Sequence, residues 1–390
     1  MTDRFELLVL GGGPAGLSAA RGYRSAGGEG EVAIVTDEHR MPYRRPPLTK
    51  ELLRGESTEA ELPIEPEQWL TDAGVALVSG RAVRLDAGAR AVSLTGGREL
   101  SYGRCVLSTG AEPTRLPIAG SDDPGVRVIR SLDHVRELLS RLDGASSAVA
   151  VIGSGFIGCE IASSLRSRGH RVSLISDEPA PNARRLGDEA AEIIGGWLLG
   201  DGVELHLAAE VERIERSNGT LAVHAGELRV SAEVVVMAAG VAPRSELASC
   251  AGIELDGGAI PVSAAMRTER DGVLAAGDVC KAMNRAVGRQ LRVEHWGDAL
   301  AQGEVAGRTA AGEEAAWDAV PGFWSTIGAR TLKYAAWGDG YSDSRLERSG
   351  EGFTVWYGSE GALVGVLAFE ADDDYERGSE LIKEGARWNG

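Results

Sequence analysis

The sequence predicts an α/β protein made of two similar modules, each with a parallel sheet, followed by a smaller α+β domain. Two glycine-rich loops, at residues 11–16 and 153–158, each follow an apolar run and precede an apparent helix. The segments that follow the two loops resemble each other. At 390 residues the chain is also too long for one ordinary core, so two or three domains are expected.

The first loop reads Gly11-Gly12-Gly13-Pro14-Ala15-Gly16 and lies between a predicted strand over residues 5–10 and a predicted helix that starts at Leu17. A second strand, over residues 32–35, ends just before Asp37. This is the pattern of a Rossmann half, in which glycines allow a tight turn and let a pyrophosphate approach the helix N-terminus. Asp37 is placed to bind the ribose hydroxyls of such a dinucleotide.

The second loop, Gly153-Ser154-Gly155-Phe156-Ile157-Gly158, has the same context. A strand is predicted over residues 148–152, a helix over 156–168 and a further strand over 172–175. The resemblance continues from residues 74–113 to residues 202–243, where an apolar strand ends in Gly110 and in Gly240, respectively. Two homologous dinucleotide-binding modules are implied, each with a set of antiparallel strands attached.

Beyond the second module, an apolar strand over residues 271–279 ends in Gly277-Asp278, whose acid could meet a polar chain of a bound cofactor. From about Pro321 the composition changes, with tryptophans concentrated in the last quarter. Strands are predicted over residues 332–337, 353–357 and 362–369, and a closing helix over 372–387. These elements predict a third domain of the α+β class.

Composition excludes several classes of function. The formal net charge of -17 argues against nucleic acid as a partner, because phosphate binding requires clustered positive charge. The four cysteines, Cys105, Cys159, Cys250 and Cys280, have neither disulfide-scaffold nor metal-ligand spacing, so reduced thiols and no metal site are expected. Neither a membrane-spanning apolar run nor a signal-peptide pattern is found, which predicts a cytoplasmic protein without membrane association.

Together these segments resemble the flavin-dependent ferredoxin reductases of oxygenase and cytochrome P-450 systems, a family that also includes the apoptosis-inducing factors. The most specific segment is Pro42-Tyr43-Arg44-Arg45-Pro46-Pro47-Leu48-Thr49-Lys50, which is similar to the family's Arg-Pro-Pro-Leu-Ser-Lys segment. Supporting segments are Ser108-Thr109-Gly110-Ala111, Gly240-Val241-Ala242-Pro243, Gly277-Asp278, Arg292-Val293-Glu294-His295-Trp296 and Phe323-Trp324-Ser325.

The resemblance implies the two-dinucleotide fold of the glutathione-reductase type. Residues 1–115 and 245–316 would form a discontinuous FAD-binding domain, with the NAD(P)H-binding domain, residues 116–244, inserted within it. Residues 317–390 would form the C-terminal α+β domain.

The resemblance also assigns residues to the cofactors. For FAD these are Gly11, Gly13, Pro14, Ala15 and Gly16 at the pyrophosphate, Asp37 at the ribose, Val83 by the adenine, Arg45 and Arg130 on the phosphate side, and Asp278 at the ribityl chain. Further cofactor contacts are implied for Thr109, Gly110, Glu294, His295 and Trp324. For the nicotinamide dinucleotide they are Gly153, Gly155, Phe156, Ile157, Glu160, Asp177, Glu178, Arg184 and Gly240. As catalytic residues it implies Lys50 near the flavin N5, Glu160 paired with Lys50, and Trp296 by the isoalloxazine.

The choice between NADH and NADPH depends on the strand end Ser176-Asp177-Glu178, where any of the three residues could occupy the selecting position. Arg184 and Arg185 could bind either a 2′-phosphate or the pyrophosphate. The apoptosis-inducing-factor pattern would put Glu178 on the ribose and Arg184 on the phosphates. We therefore expect NADH, with NADPH as the alternative.

Two functions follow from the resemblance. The first is an NADH-dependent reductase of a small iron–sulfur carrier, either a ferredoxin or a rubredoxin, since a flavin can take hydride and release single electrons. Arg40, Arg44, Arg45 and Arg54 are candidates for a basic docking patch. The alternative is an interaction protein of the apoptosis-inducing-factor kind, which oxidises NADH slowly. Either a monomer or a homodimer is compatible with the sequence.

Two features of the sequence bear on the resemblance. No cysteine lies in residues 38–43, where related oxidases and CoA-disulfide reductases carry their redox thiol, so thiol–disulfide chemistry is not expected. Thr326-Ile327-Gly328 and Arg244 depart from the usual family residues. These departures lie where partner docking and domain geometry are set.

Overall fold

A computed structural model describes residues 3–142, 146–217 and 219–390. The first part of the chain forms ten strands and helices and two short 3-10 helices, at Pro46–Thr49 and Glu59–Glu61. The ten elements are β1 (Asp3–Leu10), α1 (Pro14–Ser25), β2 (Val32–Thr36), α2 (Glu51–Arg54), α3 (Glu67–Asp72), β3 (Val75–Ser79), β4 (Ala82–Asp86), β5 (Ala91–Leu94), β6 (Glu99–Leu107) and β7 (Ala111–Pro113).

The middle part begins with a short strand and contains the second glycine-rich loop. Its elements are β8 (Val126–Arg127), α4 (Leu132–Arg141), β9 (Ala148–Ile152), α5 (Phe156–Ser167), β10 (Arg171–Ile175), α6 (Ala183–Leu186), α7 (Asp188–Gly200), β11 (Glu204–His206), β12 (Arg213–Ser217), β13 (Thr220–Ala225), β14 (Leu228–Ala232), β15 (Val234–Met237) and β16 (Val241–Pro243).

The last part contains a long helix followed by an antiparallel sheet. Its elements are α8 (Glu246–Cys250), β17 (Ile260–Val262), β18 (Val273–Ala275), β19 (Cys280–Asn284), β20 (Arg289–Arg292), α9 (Trp296–Ala310), β21 (Gly322–Ile327), β22 (Arg330–Ala336), β23 (Asp343–Ser349), β24 (Gly352–Ser359), β25 (Ala362–Phe369) and α10 (Asp372–Lys383).

The first sheet has the order β3-β2-β1-β6-β5-β4, with β18 paired to β6. Strands β1, β2, β3, β6 and β18 pair in parallel, whereas β4 and β5 form an antiparallel extension. β2 is buried along its whole length, as expected for a parallel sheet covered on both faces. Because β18 comes from the last part of the chain, this sheet is assembled from two separated segments.

The second sheet has the order β11-β10-β9-β15-β8 and is parallel throughout. Strands β12, β13 and β14 form the attached antiparallel set. β16 pairs with β7 and so connects the first and second units. The predicted α/β architecture with two similar modules is therefore confirmed.

The third sheet is antiparallel, with the order β21-β22-β25-β24-β23. The sequence did not predict β23, whose side chains are mostly polar and exposed. Helix α10 ends at Lys383 rather than at residue 387, because Gly385 adopts a φ of +68° and the chain turns there. Helix α1 begins three residues earlier than predicted, at Pro14, since proline is well tolerated in the first helical turn.

Helix α9 packs closely against α1, which brings its first residue, Trp296, to the same edge of the first sheet as the loop that precedes α1. The close approach requires glycine, because a Cβ atom on Gly307 would lie 2.0 Å from the carbonyl oxygen of Ala19. Within the part of the chain that the structure describes, no helix is long and apolar enough to cross a membrane.

Candidate functional site

The first glycine-rich loop joins β1 to α1 and leaves the start of that helix open. Gly11 has a φ of +128°, and a Cβ atom there would lie 2.1 Å from the carbonyl oxygen of Ser108, so a side chain is excluded. Gly13 precedes the helix, and the position of its absent Cβ atom is open space. No side chain caps α1, and its first turn has no acidic residue. Its N–H groups and positive dipole end are thus suited to an anionic group.

The second loop, between β9 and α5, repeats this geometry. Gly153 has a φ of +104°, and a Cβ atom there would lie 2.4 Å from the carbonyl oxygen of Ala238. Gly155 precedes α5 with open space at its Cβ position, without a side-chain cap and without an acid in the first turn. The residues of both loops therefore fit the pyrophosphate of a dinucleotide.

Both loops open onto one cavity with a volume of about 1110 Å³, which exceeds the range of about 300–1,000 Å³ usual for ligand sites. Most of the residues predicted from the sequence line this cavity. They are Gly11, Gly13, Pro14, Ala15, Asp37, Arg45, Lys50, Thr109, Gly110, Arg130, Gly155, Phe156, Ile157, Glu160, Glu178, Arg184, Gly240, Asp278, Glu294, His295, Trp296 and Trp324.

Four predicted residues do not line the cavity. Gly16 and Gly153 belong to the two loops, where the absence of a Cβ atom lets neighbouring backbone segments pack closely. Asp177 is exposed and points to a neighbouring arginine. Val83 lies on β4, the edge strand of the first sheet, with 53% of its surface exposed. The structure therefore does not bring Val83 together with the other residues predicted to bind FAD.

At the end of β2, two neighbouring acids have different surroundings. Glu38 accepts hydrogen bonds from Arg45 Nη2 at 2.5 Å and from the Tyr43 hydroxyl at 2.5 Å. Burial opposes the charged form of Glu38, but the Arg45 charge and these hydrogen bonds outweigh it and lower the pKa of Glu38. Asp37 is exposed at the cavity and has no hydrogen-bond partner among the described residues. Of these two acids, Asp37 is therefore the one with an unengaged carboxylate at the cavity, as far as the described residues show.

An ion pair connects two of the residues predicted to bind FAD. Arg130 Nη2 lies 2.5 Å from Asp278 Oδ2, just after β18. Arg45 Nη1 donates to the carbonyl oxygen of Arg130 at 2.8 Å. These contacts place two guanidinium groups and one carboxylate on the same wall of the cavity.

Lys50 and Glu160 form a buried ion pair in the cavity wall. Lys50 Nζ lies 3.0 Å from Glu160 Oε1, and the two side chains are 5% and 2% exposed. The contact predicted from the family resemblance is thus present. Two hydroxyl donors that the sequence did not reveal also bind Glu160, namely Thr49 Oγ1 at 2.5 Å and Ser325 Oγ at 2.7 Å.

Aromatic rings form the wall next to this pair. The ring of Phe323 lies 4.7 Å from that of Phe156, 4.6 Å from that of His295 and 5.5 Å from that of Tyr334. Phe323 belongs to the Phe323-Trp324-Ser325 motif, but no sequence pattern predicts its central place in this cluster, which depends on the packing of β21 beside α5. A wall of this kind holds planar ligands and excludes water.

The end of β10 distinguishes among the three candidate positions there. Ser176 is buried, and its hydroxyl oxygen accepts from the backbone N–H of Glu178 at 3.2 Å. Asp177 does not line the cavity, and its Oδ2 pairs with Arg184 Nη2 at 2.7 Å. Glu178 lines the cavity, and its Oε2 accepts from the backbone N–H of Arg184 at 2.9 Å. Of the three residues, Glu178 is therefore the one that lines the cavity.

The predicted basic docking patch does not form an open cluster, because each guanidinium group already has a partner. Arg40 pairs with Asp133, Arg45 with Glu38, and Arg54 with Glu56. Arg44 donates to the carbonyl oxygen of Glu61.

All four cysteines are free thiols, and none of them lines the cavity as described. Burial raises the pKa of Cys280 to about 12, and it also raises the pKa values of Cys105 and Cys159. The thiol next to Glu160 in sequence is thus an unreactive buried group. In the described residues there is also no cluster of metal-ligating side chains.

Comparisons with known proteins agree with this geometry. The sequence profile of the pyridine nucleotide-disulphide oxidoreductases matches residues 5–303. The chain is 31% identical over 331 residues to a rubredoxin-NAD(+) reductase of Pseudomonas putida, covering 84% of this chain and 85% of the relative. It is 31% identical over 393 residues to a ferredoxin-NAD(P)(+) reductase of Sphingomonas, covering 98% and 94%.

Among solved structures, a ferredoxin reductase from Rhodopseudomonas palustris superimposes with a TM-score of 0.93 at 27% identity, covering 99% of this chain and 96% of that one. The match extends over both modules and the C-terminal sheet. The chain belongs to the pyridine nucleotide-disulphide oxidoreductase family.

Proposed function

We propose that this protein is an FAD-dependent reductase that takes hydride from NADH and passes single electrons to a small iron–sulfur carrier. The observation that carries the proposal is that two open helix N-termini share one cavity with the buried Lys50–Glu160 pair. Its relatives include reductases named for rubredoxin and for ferredoxin. An iron–sulfur electron carrier is therefore the partner that we infer, and the cytoplasm is the proposed location.

The proposed domains follow the sheets. Residues 1–115 and 245–316 would bind FAD, and residues 116–244 would bind NADH. The pairing of β18 with β6 supports the discontinuous first domain, because it returns the chain to the first sheet after the second module. Residues 317–390 would form the C-terminal domain, which supplies Trp324 and Ser325 to the cavity.

FAD, when bound, supplies a carrier that accepts two electrons as hydride and gives them up one at a time. The protein's own residues prepare that exchange. Lys50 places a positive charge at the cavity, where it would stabilise added negative charge on the cofactor. Phe156, Phe323 and Trp296 line the same region and would exclude water while holding planar rings against each other.

The preference for NADH is proposed from the end of β10. The Glu178 carboxylate at the cavity would accept hydrogen bonds from ribose hydroxyls and repel a 2′-phosphate. Asp177 also holds the Arg184 side chain in an ion pair, which reduces the positive charge available to such a phosphate. Both effects disfavour NADPH relative to NADH.

The proposal is tested by adding FAD to the purified protein and then measuring reduction of a ferredoxin or rubredoxin with NADH as the donor. The protein is expected to retain FAD through gel filtration and to reduce the carrier in repeated turnovers. A protein that binds no FAD would overturn the proposal.

A further inference from the structure

The Glu160 carboxylate accepts from four donors. Lys50 Nζ and Ser325 Oγ both bind Oε1, at 3.0 and 2.7 Å. The backbone N–H of Thr326 approaches the same oxygen at 3.4 Å, and Thr49 Oγ1 binds Oε2 at 2.5 Å. Three of the four donors therefore share Oε1, and Oε2 accepts from Thr49.

These donors come from two separate parts of the chain. Thr49 and Lys50 follow one another at the end of the first 3-10 helix, whereas Ser325 and Thr326 are neighbours on β21. The carbonyl oxygen of Thr49 also accepts from Ser164 Oγ at 2.8 Å, which fixes this segment to α5 a second time. Glu160 therefore joins α5 to the segment before α2 and to the C-terminal sheet.

The two hydroxyl donors matter because the pair is buried. Removing a carboxylate and an ammonium from water is costly, and their mutual attraction offsets this cost only when the remaining oxygen positions are also hydrogen-bonded. Hydroxyl groups that donate to the ionised carboxylate stabilise its charge and fix its position. A fixed Glu160 carboxylate in turn holds the Lys50 ammonium group in place.

We propose that Ser325 is a positioning residue for the reduction of the cofactor. Its hydroxyl, together with that of Thr49, fixes the Glu160 carboxylate, which in turn fixes the Lys50 ammonium group at the cavity. The inference rests on the proposed function, because it assumes that FAD occupies that cavity. It adds that a residue of the C-terminal sheet helps to set how readily the bound cofactor is reduced.

If the Ser325 hydroxyl had only a structural role, its removal would lower stability without changing how readily the bound cofactor is reduced. Thr354 on β24 of the same sheet is 1% exposed, and its hydroxyl donates to Asp374 Oδ2 at 2.7 Å, in a contact that does not involve Glu160. Thr354→Val therefore removes a comparable buried hydrogen bond and serves as the matched control. Ser325→Thr keeps the hydroxyl and serves as the conservative variant.

The test is the midpoint potential of FAD bound to the full-length protein, measured against a reference dye with xanthine and xanthine oxidase as the reductant. Ser325→Ala and Thr49→Val should each shift the reduction equilibrium about tenfold toward oxidised FAD, as expected for loss of one charge-assisted hydrogen bond. Ser325→Thr should stay within about threefold of wild type, and Thr354→Val should lower thermal stability without moving the equilibrium.

Rapid mixing with NADH adds a second measurement. In Ser325→Ala, the rate constant of flavin reduction should fall about tenfold while the dissociation constant for NADH changes less than about twofold. Unchanged midpoint potentials in both Ser325→Ala and Thr49→Val would overturn the inference. The dye equilibrium requires no NADH, so a wild-type protein that NADH fails to reduce would refute the proposed function, while the potentials would still decide the role of Ser325.

Discussion

Lys50 and Glu160 meet at 3.0 Å although 110 positions separate them in the sequence. Lys50 follows the turn of the Pro-Pro-Leu-Thr segment, and Glu160 lies in the first turns of α5, just after the second glycine-rich loop. The pair therefore connects the two dinucleotide modules at their common cavity.

Replacing Glu160 by alanine leaves Lys50 buried without a counter-charge. We expect the free energy of unfolding to fall by about 3–5 kcal/mol. The rate constant for flavin reduction by NADH should fall at least tenfold, while NADH binding weakens by less than about threefold. Denaturant unfolding and stopped-flow absorbance measure the two effects. Glu192→Ala, on the exposed face of α7, is the control. An unchanged rate constant would remove the pair from the mechanism.

Glu178→Ala tests the proposed ribose ligand. Because a hydrogen bond to a charged group contributes about 1.5–3 kcal/mol, the KM for NADH should rise by about 10- to 100-fold. Steady-state kinetics with NADH and NADPH give the comparison. Asp177→Ala should affect NADH less, since Asp177 does not line the cavity and pairs with Arg184. If NADPH kinetics improved in Glu178→Ala while the KM for NADH stayed constant, another residue would be the ribose ligand.

Asp278→Ala should weaken FAD binding, because it removes a carboxylate from the cavity wall and leaves Arg130 without its partner. We expect the dissociation constant for FAD to rise by at least about tenfold. Fluorescence of released flavin after dilution measures it. Asp271→Ala is the matched control, as its side chain is 87% exposed and pairs with Arg90 at the surface. Equal FAD retention in the two variants would count against the predicted contact.

Thiol reactivity should be confined to Cys250, the exposed cysteine. Burial raises the pKa of Cys280 to about 12 and raises those of Cys105 and Cys159. The reactive thiolate is favoured only when the pH exceeds the pKa, so at pH 8 these three thiols stay protonated. One thiol per folded chain should react with an aromatic disulfide reagent, and none in Cys250→Ser.

Blocking Cys250 should also leave flavin reduction by NADH unchanged, since the thiol lies outside the described cavity. Reaction of a second thiol in the folded protein, together with loss of flavin reduction, would instead indicate thiol chemistry at the site.

The local parts of the fold could be predicted from the sequence. Each glycine-rich loop needs a residue with positive φ at its tight turn, which glycine adopts readily. Gly11 and Gly153 both have a positive φ. The edge strand β23 was not predicted, because its alternation of Arg345, Leu346 and Glu347 lacks an apolar face. Its position depends on pairing with β24, which is a long-range effect.

Site residues could be predicted only where they belong to a recognisable sequence motif. Asp37 and Asp278 followed from strand ends, and the pairing of Lys50 with Glu160 followed from the family resemblance. The role of the Ser325 hydroxyl could not be predicted in this way, because no sequence motif marks a serine that binds a distant carboxylate. Its contact with Glu160 spans 165 positions. The choice between Asp177 and Glu178 likewise required the position of Arg184.

The most direct test of the proposed electron transfer is anaerobic stopped-flow absorbance of the FAD-loaded protein. The protein is mixed first with NADH and then with an oxidised ferredoxin or rubredoxin. The proposed electron transfer predicts rapid loss of the flavin absorbance, followed by its return as the carrier is reduced, over several turnovers. Slow reduction with a long-lived charge-transfer band and no reduction of any carrier would contradict it, and would favour a redox-responsive interaction protein instead.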